Sequence, residues 1–108
     1  MAYRHTQIFT IKYGHFGEYL AAVKKLEAIA EKKGWSQARV LVPTVGESNQ
    51  IIIENEYADL ATFQRENDAF YEDAEAFQIF RDGAQHVIEG SATTVLYEDV
   101  PMSFPGSD

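Results

Sequence analysis

Val40-Leu41-Val42-Pro43-Thr44-Val45-Gly46-Glu47-Ser48-Asn49-Gln50-Ile51-Ile52-Ile53 sets two apolar triplets on either side of a polar turn. Runs of β-branched and leucine residues this short read as strands. The turn from Thr44 to Gln50 makes them a hairpin of Trp35 to Pro43 with Ile51 to Tyr57. Strand side chains alternate between two faces, so a strand with one wet face should alternate apolar and polar residues. Neither triplet contains a polar residue. Both faces of this hairpin are therefore expected to be covered.

Upstream, Tyr3 to Tyr13 reads as a first strand, with Tyr3, His5, Gln7, Phe9, Ile11 and Tyr13 on one face. Gly14 and Gly17 mark a turn into a helix from Phe16 to Lys33. Phe16, Tyr19, Val23, Leu26 and Ala30 form its apolar stripe, and Lys32-Lys33-Gly34 is its stop. Downstream, Asp59 stands where an N-cap belongs. Phe63, Phe70, Phe77 and Ala84 then recur every seven residues, joined by Ala74, Phe80 and Ile88, in a helical stretch that Gly90 ends. Glu72-Asp73 is a point at which this stretch can divide, with Asp73 capping the second part. Ser91 to Asp99 is the fourth strand.

The order is βαββαβ, which with right-handed crossovers predicts a ferredoxin-like α+β domain over residues 1–99. Its antiparallel sheet carries the helices on one face only. Ile8, Val40, Val42, Ile52 and Leu96 are expected on the other. Leaving such a patch in water forfeits several kcal/mol at ~25 cal/mol per Å². A second copy of the chain, docked sheet to sheet as a homodimer, is the expected cover. Residues 100–108 form a tail whose Met102 and Phe104 are expected to dock on a neighbouring surface such as the partner subunit.

The bulk properties narrow the function classes. The chain has 108 residues, 45% hydrophobic and 24% charged, within the ordinary globular range. A formal net charge of -8 argues against nucleic acid or anionic lipid as partners. No apolar run approaches the ~18 residues that span a bilayer, and the MAYRHTQ start lacks a signal-peptide core, so cytoplasmic residence is expected. The absence of cysteine removes disulfides, thiolate ligands and a cysteine nucleophile.

The stretches HTQIFTIKYGHFGEYL and ENEYADLATFQRE, with the strand pair between them, resemble small proteins of the dimeric α+β barrel superfamily. The NIPSNAP-like and antibiotic-biosynthesis-monooxygenase-like branches are the nearest in pattern. The resemblance implies two sheets meeting face to face and a cleft between the helices and sheet of each subunit. Its members include cofactor-free oxygenases, haem-degrading monooxygenases and proteins with no assigned activity. The haem-degrading pattern is not met. Gln7 stands where that branch has Asn, the second helix has no Trp, and Ala84 occupies the ligand position. His86 is expected to point away from the cleft.

Several residues are candidates for a site, each with a plainer reading beside it. His5 is the candidate catalytic base, because an imidazole suits proton transfer at neutral pH. A lone histidine at a strand start is more often only half solvated and inert. Gln7 shares its face. Asn55, Tyr57 and Tyr97 are polar tips on apolar walls, as a ligand pocket uses, and equally as strand ends use at a surface. Trp35 can roof a cleft or cap the core edge. Phe63 and Phe70 can wall a flat ligand, although core packing is the commoner role of such a stripe. Glu66, Asp68, Glu72, Asp73 and Glu75 lack a cation-binding loop and read as a solvated helix face. His5, His15 and His86 lie far apart without HExxH spacing, so no metal site is read, and no cofactor is expected. Gly14 and Gly17 are explained by turn geometry.

The leading expectation is a homodimer that binds a small, largely apolar or aromatic molecule in its helix–sheet cleft. A cofactor-independent monooxygenase acting on an aromatic or polyketide-like substrate is the alternative. A non-catalytic assembly module is the third reading.

Overall fold

The computed structural model describes residues 2–102; Phe104 lies outside them. Four strands, β1 (Tyr3–Thr10), β2 (Arg39–Leu41), β3 (Gln50–Tyr57) and β4 (Thr93–Glu98), pair in the order β2-β3-β1-β4. Every pairing is antiparallel. Helices α1 (Phe16–Lys33), α2 (Leu60–Glu72) and α3 (Ala74–Ala84) complete the α+β, ferredoxin-like arrangement.

Local chemistry accounts for the element ends. Gly14, at φ 84, makes the turn that delivers His15 to the N-cap of α1. Gly34, at φ 73, ends α1. Its N–H donates to the Glu31 carbonyl, while the Trp35 N–H reaches back to Ala30 at 2.9 Å. This paired closure satisfies two otherwise orphaned carbonyls and swings Trp35 back toward the sheet. The Asp59 side chain accepts from the Thr62 N–H at 2.7 Å, and Asp73 accepts from Ala76 at 2.9 Å. Asp73 therefore divides the phenylalanine stretch into two helices.

That break corrects the seven-residue reading. Asp73 sits at ψ 107, so Phe77 loses angular register with Phe63 and Phe70. Ala76 and Gly83 are the buried residues of α3 instead. The helix also stops before Ile88. Val87 bridges Ile11, and the Ile88 N–H donates to Thr10 at 2.9 Å, because the sheet offers these groups better-placed partners than another helical turn.

Register settles the two faces. His5 lies opposite Asn55 and Leu96, and Ile53 opposite Gln7 and Val40. Val40 and Leu96 therefore belong to the helix side, contrary to the sequence expectation, and Val42 lies beyond the paired residues of β2. The open face carries Ile8, Ile52, Leu41 and Val95, with Arg4 held between Glu54 (3.3 Å) and Asp99 (3.0 Å) at one corner. In the tail, Met102 is 79% exposed.

The core is small and sits at one end. Phe9, Ile11, Tyr19, Val23 and Ile51 form it, with Phe16, Leu20, Ile53 and Val87 against them. Phe9 and Tyr19 meet edge to face at 5.3 Å. Toward the other end of β1, packing gives way to open space.

Candidate functional site

A cavity of about 880 Å³ lies between the helices and the sheet, at the upper part of the range of small-molecule sites. Its floor is the odd face of β1 and β3: His5, Gln7, Ile53, Asn55 and Tyr57. Trp35, Phe63, Phe70 and Phe80 contribute aromatic walls. No residue of α2 is fully buried, so its Phe63 and Phe70 face the cavity rather than a packed core. Phe63 touches both His5 and Tyr57, with ring centroids 5.3 Å away in each case.

The polar end of the cavity is tied together by hydrogen bonds. The Ser36 N–H donates to Glu66 Oε1 at 2.6 Å, and Asn55 Nδ2 donates to the Ser36 carbonyl at 3.1 Å. The Ala38 N–H donates to Glu27 Oε2 at 2.9 Å. These bonds hold the segment between α1 and β2 against the cavity mouth. Burial, followed by the nearby Glu66 and Glu27 carboxylates, pushes the Tyr57 phenol up to about 12, so it stays a neutral donor. Burial raises Glu27 as well, against the opposing effect of the Ala38 bond. Burial lowers the His5 pKa, which keeps its imidazole neutral at physiological pH.

Of the candidates read from the sequence, His5, Gln7, Trp35, Asn55, Tyr57, Phe63 and Phe70 all line this cavity. Tyr97 does not. It pairs with Arg4 on the open face and is 53% exposed, because β4 presents Thr94 and Leu96, not Val95 and Tyr97, to the helices. Glu66 and Glu27 also line the cavity. Glu66 was expected on a solvated face. Its spacing carried the opposite signal, since it follows Phe63 by three and precedes Phe70 by four. Glu27 follows Val23 by four in the same way.

A second constellation lies outside the cavity. His15 and His86 stack with ring centroids 5.1 Å apart and planes 23° from parallel. Glu18 sits between them, 3.2 Å from His15 Nδ1 and 3.5 Å from His86 Nε2. Sequence distance alone had separated these histidines; the packing of α3 on α1 unites them.

No protein-family model matches the chain, and no curated protein matches it. Solved structures do. The fold is shared with solved NIPSNAP-family and antibiotic biosynthesis monooxygenase structures. A NIPSNAP family protein from Agrobacterium tumefaciens superposes with a TM-score of 0.76 at 21% identity, covering 95% of this chain and 97% of the other. A NIPSNAP domain protein from Burkholderia xenovorans gives 0.75 at 12% identity, covering 95% and 99%. A putative antibiotic biosynthesis monooxygenase from Nitrosomonas europaea gives 0.71 at 12% identity, covering 95% and 94%.

Proposed function

We propose that this protein is a cytoplasmic homodimer that binds a small, largely apolar molecule in its helix–sheet cavity. The unfilled volume of about 880 Å³ carries the reading, because a protein with no ligand to hold normally packs such space with its own side chains. Aromatic walls suit a flat apolar body. Tyr57 and Asn55 suit a polar group at one end of it. Among the described residues no helix is long and apolar enough to cross a membrane.

The test is a thermal-shift screen of the purified protein against aromatic, lipidic and tetrapyrrole compounds, since a ligand of the native state alone raises the midpoint. A rise that is diminished in Gln7→Trp, which adds bulk to the cavity floor, is the expected outcome. No rise across the panel overturns the reading in favour of an assembly module.

A second reading is favoured by one observation: the desolvated, neutral His5 on the cavity floor against Phe63. In it, His5 takes a proton from an electron-rich aromatic substrate held dry in the cavity, and the resulting carbanion reacts with dioxygen. Oxygen consumption with a bound aromatic compound that disappears in His5→Ala supports it. Consumption unchanged in that variant discards His5 as the base.

A further inference from the structure

The His15–Glu18–His86 cluster does not line the cavity, and it gathers three side chains of metal-ligating type at one point. Three structural features build it. Both histidine backbones are pinned beside the same strand end. The His15 N–H donates to the Lys12 carbonyl at 3.0 Å, and the Lys12 N–H donates to the His86 carbonyl at 2.7 Å. The close approach of α3 to α1 at Gly83, where a Cβ would stand 3.3 Å from Ala22, sets His86 over the start of α1. Finally, His15 Nδ1 is sealed from solvent and makes no hydrogen bond, although a carboxylate oxygen lies 3.2 Å away. A buried polar atom without a partner calls for one.

One donor atom from each of the three side chains falls within 4.8 Å of the others. Donors around a tetrahedral zinc ion at ordinary bond lengths stand about 3.3 Å apart. Each imidazole nitrogen stands near that distance from one oxygen of the Glu18 carboxylate, His15 Nδ1 at 3.2 Å from Oε1 and His86 Nε2 at 3.5 Å from Oε2. We propose that His15, Glu18 and His86 form a site for a borderline-soft divalent metal ion of the zinc class, which clips the start of α1 to the segment following α3. The donor set, two imidazoles and one carboxylate, selects late first-row ions over Mg²⁺ or Ca²⁺, which prefer all-oxygen shells. Water completes the coordination. A metal ion lies in the plane of each ring it binds, so binding turns the two imidazoles out of their stack about χ2, a broad torsion. The net charge of -8 draws cations to the surface in general, and the two imidazoles confer the selectivity.

The test is calorimetric titration of the full-length protein with Zn²⁺ at neutral pH, paired with its thermal midpoint. Saturation at one ion per chain and a raised midpoint are expected, with Mg²⁺ producing neither. His86→Ala and Glu18→Gln should each weaken binding at least about tenfold, because even the loss of an outer-shell partner costs that much. Glu18 is exposed, so Glu18→Gln remains informative if His86→Ala misfolds. His5→Ala should bind Zn²⁺ like the parent protein. The absence of saturable binding, or binding unchanged in Glu18→Gln, overturns the proposal.

Discussion

His5 illustrates what one residue contributes at two levels. Its place on the odd face of β1 was readable from alternation, but its desolvation comes from Phe63, which a helix distant in sequence supplies. Because burial lowers its pKa, the folded chain holds it neutral while the unfolded chain takes up a proton near pH ~6.5. The unfolded state thus binds more protons in that region. Stability should be undiminished above pH ~6.5 and fall as the pH drops below it. Urea midpoints at pH 7.5 and 5.5 should differ more in the parent than in His5→Leu; equal differences would remove His5 as the source. Asp59 and Asp73 act in a lower window. Their backbone hydrogen bonds depress both pKa values, so their stabilisation is present above pH ~4 and is lost on further acidification. Trp35 was legible as a cleft residue or a core cap. The helix-closing turn at Gly34 decides for the cleft, since it fixes the direction in which the chain leaves α1.

At the level of elements, caps proved more informative than periodicity. Asp59, Asp73 and Gly34 each bound a helix where their side chain or backbone conformation allows it. The seven-residue phenylalanine pattern ran across the Asp73 break and failed there, because periodicity holds only while the backbone stays helical. β2 shows a related limit. A nine-residue run from Trp35 to Pro43 was read as strand, yet only Arg39–Leu41 pairs. The preceding residues are held by Glu27, Asn55 and Glu66 side chains instead. The α1–α3 contact depends on Gly83, whose absent side chain leaves room for Ala22 and Tyr19. Gly83→Val should overpack this contact and cost about 1–3 kcal/mol in urea unfolding. A loss within experimental error would show that the helices can separate freely.

For the whole molecule, the distribution of packing matters more than its amount. The core is gathered around Ile11 and Ile51, both fully buried, and the opposite end is left as a cavity. The open sheet face combines Ile8, Ile52, Leu41 and Val95 with the Arg4 ion pairs, which is more mixed than an all-apolar patch. If that face docks against a second copy, light scattering at micromolar concentration should report a dimer, and Ile52→Glu should give monomer or aggregate. A stable monomer of the parent protein would end the dimer reading. By itself the sequence determined the element order, the caps and the ferredoxin-like topology, because those follow from alternation, helix-end chemistry and short-range turns. Only the tertiary structure decided which face of β4 meets the helices, that the phenylalanines stop short of filling the cleft, and that His15 and His86 meet across Glu18. Each of these depends on the relative placement of segments remote in the chain, and that placement is set by strand register and helix packing rather than by any local pattern.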